Sequence, residues 1–260
     1  MVDPRWIDSQ SPGPFLLEVE DVPETHLHNA IISLLEAILE QWVLATGREA
    51  RIARNFACRW DPNDARVGMD PDLALLEPPP SDDLTLPSLR VWEPGHVPPR
   101  VVFEVVSPST GKKDYEDAAA RCALLGAEEL WVFDPLMVGP KRPEAAIPLQ
   151  IWQRQGGRMV RVHAGPPPAK SPELDAWLVL DAGGLLRLAD DPWGSAMWPT
   201  ATEAERALVA EERALVAEER ARAEEAERRA REETARADEE AERRRAAEAE
   251  LERLRALLKE

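Results

Sequence analysis

Arg100-Val101-Val102-Phe103-Glu104-Val105-Val106-Ser107 is an apolar run with one acid at its centre. A continuous Val/Phe run of this length reads as a central strand covered on both faces. Side chains alternate along a strand, so Val101, Phe103 and Val105 share one face, and Val102, Glu104 and Val106 the other. An ionised carboxylate in such a place costs several kcal/mol or more to desolvate. Glu104 therefore calls for a cation, a metal or a raised pKa. Upstream, Asp72 opens a second apolar run, Asp72-Leu73-Ala74-Leu75-Leu76. Two acids on two neighbouring buried strands point to a metal site.

The rest of the chain bounds this reading. Of 260 residues, 24 are Pro and 13 Gly, and residues 201–260 contain neither. One globular domain followed by a helical appendage is expected. Cys58 and Cys122 are too few for a disulfide framework. The opening Met1-Val2-Asp3-Pro4-Arg5-Trp6 is polar and proline-broken, unlike a signal peptide. No apolar stretch is expected to reach membrane-spanning length. A cytoplasmic location with no membrane partner follows as the expectation. The formal charge is −17, which disfavours tight nucleic-acid binding, where phosphate neutralisation dominates. Arg48, Arg51, Arg54 and Arg59, and again Arg100, Lys112, Lys113 and Arg121, form local basic groups. Each alone is more simply a solvated surface charge.

The pattern divides the chain into an N-terminal segment (1–24), a domain (25–165), its C-terminal extension (166–200) and a charged helix (201–260). Leu27, Ile31, Leu34, Leu35, Ile38, Trp42 and Val43 recur at helical spacing, with Thr25 as N-cap and Gly47 as stop. Arg51–Trp60 reads as a strand, 61–70 as a polar loop, 72–76 as a strand and 77–99 as a proline-rich loop. A helix over Asp114–Leu125 follows the glutamate strand, closed by Gly126. Glu129-Leu130-Trp131-Val132-Phe133 is another buried strand, and Gly156-Gly157 sits between two strands as a hairpin turn. The order predicts an α/β fold with a mixed sheet flanked by helices, and a long C-terminal helix.

These motifs resemble the PD-(D/E)XK nuclease superfamily, and within it the Uma-two type of restriction endonuclease. The resemblance covers about residues 20–200. It rests on Pro71-Asp72-Leu73-Ala74-Leu75, Phe103-Glu104-Val105-Val106-Ser107-Pro108-Ser109, Asp114, and Glu129-Leu130-Trp131-Val132-Phe133-Asp134-Pro135. Ser171-Pro172-Glu173-Leu174 and Leu185-Leu186-Arg187-Leu188 look like the family's C-terminal part, and His28 matches a histidine ahead of its first helix. The resemblance implies a restriction-endonuclease-like fold, DNA as partner, and Mg²⁺ held by Asp72, Glu104 and the backbone carbonyl of Val105. It implies Mg²⁺-dependent hydrolysis of phosphodiester bonds. Mg²⁺ suits such a set, because it takes few carboxylates and keeps several waters.

One departure concerns the catalytic lysine. The superfamily's position, two residues after the glutamate, is Val106; the family's substitute, four residues after Asp114, is Ala118. Neither is a lysine. Lys112, Lys113 and Arg121 are the cations at hand, and Lys113 is taken as the catalytic one beside Asp72 and Glu104. The alternative is a nuclease-fold module without activity, binding nucleic acid or protein. Plainer roles exist for each residue: a buried ion pair of Glu104 with Arg121, a strand-start cap for Asp72 in a turn with Asp70, and a helix N-cap for Asp114. His26 and His28 lack further Cys or His at zinc spacing. Cys58 and Cys122 read as core thiols.

In the tail, Ala207-Leu208-Val209-Ala210-Glu211-Glu212-Arg213 recurs unchanged at residues 214–220. Val209, Val216, Ala223, Ala230, Ala237, Arg244, Leu251 and Leu258 fall seven apart, one seam of a heptad pattern. The companion seam has only Ala226, Ala247 and Leu254. Glu-to-Arg pairs four apart, such as Glu224–Arg228, Glu225–Arg229, Glu227–Arg231 and Glu239–Arg243, each add ~0.2–0.5 kcal/mol to a helix. A homo-oligomer through residues 201–260 as a weak coiled coil is expected; a solvated lone helix is the alternative.

Overall fold

The computed structural model describes residues 24–257 except Ala65 and residues 81–87, 108–110 and 141–144; for residues 24, 25, 111, 112 and 252–257 it describes the backbone alone. The N-terminal segment and the Pro108-Ser109-Thr110 break thus lie wholly or largely outside the described residues. Residues up to Ala201 and residues from Thr202 onward form two compact units.

The first unit is a mixed α/β domain. Its principal sheet has β1 (Arg51–Arg54), β4 (Leu73–Leu76), β6 (Val101–Val105), β7 (Glu129–Phe133), β8 (Leu149–Gln155) and β9 (Arg158–Gly165) side by side in that order. The glutamate strand β6 lies inside it, antiparallel to β4 and parallel to β7. A parallel pair needs a crossover, supplied by α2 (Gly111–Glu116) and α3 (Ala118–Leu125).

The expected alternation holds residue by residue. Val101, Phe103 and Val105 join Trp131, Phe133, Leu73, Leu75 and the apolar stripe Ile31, Ile32, Leu35, Ile38 and Leu39 of α1 (Glu24–Thr46) in one core. Phe103 and Trp131 meet edge to face at 4.3 Å. Val102 and Val106 join Ala74, Leu76, Leu130, Val132, Ala118, Cys122 and Leu125 in the other. α1 is, by length and composition alone, apolar enough over His26–Thr46 to cross a membrane. Its apolar stripe is nevertheless buried against the sheet. Gly47 ends it at φ +63°, the left-handed stop that glycine permits.

Three local readings are corrected. The strand expected over 51–60 is two: Asn55 turns the chain at φ +48°, so β1 pairs with β4 while β2 (Ala57–Arg59) joins a second sheet. That sheet is completed by β3 (Gly68–Met69) and β5 (Ser88–Arg90), strands inside stretches read as loops. The helix over 114–125 is two, α2 and α3, divided at Asp117, although Asp117 N–H to Lys113 O and Arg121 N–H to Asp117 O, both 2.9 Å, carry the ladder across. Residues 166–200 build a third sheet, β10 (Ala169–Ser171), β11 (Ala176–Leu180) and β12 (Leu186–Ala189), whose Ala176, Leu178, Leu186 and Leu188 enter the α1 core. The Gly156-Gly157 hairpin forms as read, with φ +57° and +80°.

The second unit is one helix, α4 (Ala201–Leu257), of 57 residues, about 86 Å long at ~1.5 Å per residue. Glu225–Arg229, Glu227–Arg231 and Glu239–Arg243 pair along it as expected, while Arg228 turns to Glu232 instead of Glu224. Its described side chains are exposed almost throughout, including Leu208, Val209, Leu215, Val216 and Leu251.

Candidate metal centre

The antiparallel register pairs Leu73 with Phe103. Carried one residue further, it sets Asp72 across from Glu104. The start of β4 and the end of β6 therefore share one edge of the sheet, and that edge collects the polar groups. The Asp72 carboxylate accepts the Val105 N–H through Oδ2 at 2.7 Å. His28, from the start of α1, brings Nε2 to 3.0 Å from the Val105 carbonyl oxygen and 3.3 Å from Asp72 Oδ2. Lys113 and Asp114 arrive on α2 from the opposite face of the sheet.

The electrostatics follow from burial. Glu104 is only 3 % exposed. Desolvation pushes its pKa well above the ordinary glutamate value, and the charges of Asp72 and Asp114 push the same way; the Lys113 ammonium and the Asp72 backbone amide pull back. Its Oε1 has no hydrogen-bond partner among the described residues. The hydrogen bond to Asp72 holds His28 above the usual imidazole range, against the effect of its partial burial. Asp114 is buried inside α2, so it is not the N-cap it was expected to be. It adds a third acid to the cluster.

This arrangement fits a hard divalent cation. Asp72 Oδ2 and the Val105 carbonyl converge on a single donor atom, and the neighbouring Glu104 keeps a buried oxygen with nothing to accept from. Oxygen donors, two of them carboxylate, are what Mg²⁺ selects. Among the described residues no group of three or more His, Cys, Asp or Glu stands at metal-binding spacing. The set is two carboxylates and a backbone carbonyl, which leaves room for waters.

Both lysine positions of the superfamily are closed. Val106 and Ala118 are each 1 % exposed in the apolar cluster behind Glu104. A lysine at 118 would have to enter the core, because the position is not helix surface. Arg121, the expected ion-pair partner of Glu104, reaches the Gly68 carbonyl instead, at 3.5 Å. Asp70 pairs with Arg59 at 2.8 Å rather than sharing a turn with Asp72. Lys113 is the described lysine whose charge acts on Glu104; the side chain of Lys112 lies outside the described residues. His26 is exposed. Cys58 and Cys122 are fully buried, and burial pushes their thiols up, Cys58 to about 12, so neither is a nucleophile.

His28 was the residue without an assigned role. Nothing local in the sequence connects position 28 to positions 72 and 105; only packing of α1 across the sheet edge does. The Ser171-Pro172-Glu173 motif also acquires a reason. Glu129 is fully buried at the opposite end of β7, and accepts from Trp131 Nε1, from Ser171 Oγ at 2.5 Å and from Glu173 N–H at 3.2 Å. This ties the third sheet to the first.

Residues 18–177 match the model of the Uma2 family, described as "Putative restriction endonuclease". Among solved structures, the chain is similar to a "putative nuclease belonging to DUF820" from Anabaena variabilis ATCC 29413. The two are 16% identical with a TM-score of 0.38, over 59% of this chain and 74% of that one. No curated protein matches.

Proposed function

The chain belongs to the Uma2 family of restriction-endonuclease-like proteins, and from that premise we propose that it is a Mg²⁺-dependent endonuclease acting on DNA. The observation that carries the reading is the convergence of Asp72 Oδ2 and the Val105 carbonyl beside the orphaned Glu104 Oε1. Asp72, Glu104 and Val105 O would hold the cation. When bound, it supplies a water of lowered pKa and a counter-charge for the phosphate.

The residues of the chain do the rest. Asp72 accepts the Val105 N–H, and the Val106 N–H donates to Phe133 O at 2.8 Å, which holds the peptide that carries the Val105 carbonyl. Lys113 is the catalytic cation: its charge acts on Glu104 and would neutralise charge on the reacting phosphate. The apolar packing of Val106 and Ala118 excludes water from behind Glu104. Supercoiled plasmid, Mg²⁺ or Mn²⁺, and the Asp72→Asn and Glu104→Gln variants provide the test. The wild type nicks with metal, and EDTA or either substitution abolishes nicking. A folded wild type that never nicks, yet retards DNA, favours the alternative of a binding module, which the two closed lysine positions support.

The charged helix is read as the self-association element of a cytoplasmic homo-oligomer. Exposed Val209, Val216 and Leu251 on one heptad seam support this. Light scattering on the full chain and on a chain ending at Thr200 tests it; the same mass per chain in both refutes it.

A further inference from the structure

The atoms that the proposed cation needs are already taken. His28 Nε2 lies 3.0 Å from the Val105 carbonyl oxygen and 3.3 Å from Asp72 Oδ2. One N–H cannot point fully at both, so it is shared between two acceptors that converge on it. The geometry leaves the third oxygen, Glu104 Oε1, buried and without a hydrogen-bond partner among the described residues. Mg²⁺ sits about 2.1 Å from its oxygens, closer than an imidazole nitrogen can approach them. A cation reaching Val105 O and Asp72 together would overlap the His28 ring nitrogen.

We propose that His28 is a built-in stopper of the metal centre: it occupies the cation's place in the resting protein and is displaced when the cation binds. This rests on the metal reading above. The placement of His28 suits the task. Its ring is 24 % exposed, so it has solvent to swing into. It sits in the first turns of α1, beside the exposed His26, Asn29 and Ala30, whereas the buried stripe of that helix begins at Ile31.

Two measurements on the full chain test this. Calorimetric titration with Mn²⁺ should give about tenfold tighter binding for His28→Ala than for the wild type, the weight of one hydrogen bond to a charged group. Equal or weaker binding in the variant overturns the stopper and leaves the metal reading standing. Absence of binding in both chains overturns both. The second measurement needs no variant: carbethoxylation of His28 by diethyl pyrocarbonate, located by mass spectrometry at fixed pH, should quicken when Mg²⁺ is added. His26 serves as the exposed control. Protection of His28 by Mg²⁺ would make it a ligand, and an unchanged rate would leave it in place; either result refutes displacement.

Discussion

Glu104→Gln should stabilise the protein at alkaline pH while it abolishes metal binding. Glu104 is 3 % exposed, its Oε1 has no hydrogen-bond partner among the described residues, and the neighbouring charges of Asp72 and Asp114 oppose its ionisation. Its pKa in the folded chain lies above that in the unfolded chain. The stability it permits is therefore fully present below about pH 4.5 and is lost as pH rises through the folded pKa. Each unit of that rise costs about 1.4 kcal/mol once the group ionises. Lys113 and the Asp72 amide offset part of it. A glutamine of the same shape carries no charge, and its amide N–H groups can donate to the adjacent carboxylates. A gain of about 1–3 kcal/mol is expected, or roughly 3–10 °C in midpoint for a unit of this size. The assay is thermal unfolding of both chains in EDTA at pH 5 and pH 8. The difference should be large at pH 8 and shrink at pH 5. Equal midpoints at pH 8, or a less stable variant, would show that a cation of the chain already balances Glu104. The tension reasoned from burial would then be absent. Saturating Mg²⁺ should raise the wild-type midpoint and leave the variant's unchanged.

Further outcomes follow from burial and pairing. Ala118→Lys places a charged chain in the cluster of Val106, Cys122, Leu130 and Val132. It should destabilise by about 1–3 kcal/mol in urea titration, with no gain in nicking. Lys113→Ala should lower any nicking rate by roughly 10²–10³, far more than the small loss of stability from removing a charge that offsets Glu104. Ser171→Ala removes a donor to Glu129 and the acceptor of Leu174 N–H, and should cost about 1–2 kcal/mol by the same titration. Arg48 forms a two-pronged bond to Glu77, both arms 2.7 Å, and lowers the Glu77 pKa. That contribution is present above the ordinary glutamate pKa and lost as pH falls through the lowered folded pKa, so Arg48→Ala should cost about 0.5–1 kcal/mol at pH 7 and progressively less in acid.

What the sequence by itself determined were features written in short-range pattern. A period of two through Val101–Val106 assigns the faces of β6, and each residue falls in the core its parity assigns. A period near 3.6 marks the buried stripe of α1, and an acid inside an apolar strand marks Glu104 as a group needing compensation. The heptads and the absence of Pro and Gly mark α4 as one helix. These depend on neighbours a few residues away, so one chain carries the whole signal. What only the tertiary structure decided were distances between residues remote in sequence. His28 meets Asp72 and Val105 because α1 crosses the sheet edge. Arg121 reaches the Gly68 carbonyl rather than Glu104, and Asp114 joins Glu104 electrostatically from α2. Ala118 is core because α3 buries it with Cys122 and Leu125. The three short strands of residues 166–200 pack onto α1 and are stapled by Glu129. No local period encodes such meetings: a side chain's partner across the fold depends on how whole elements dock, and docking is settled by the sum of buried contacts.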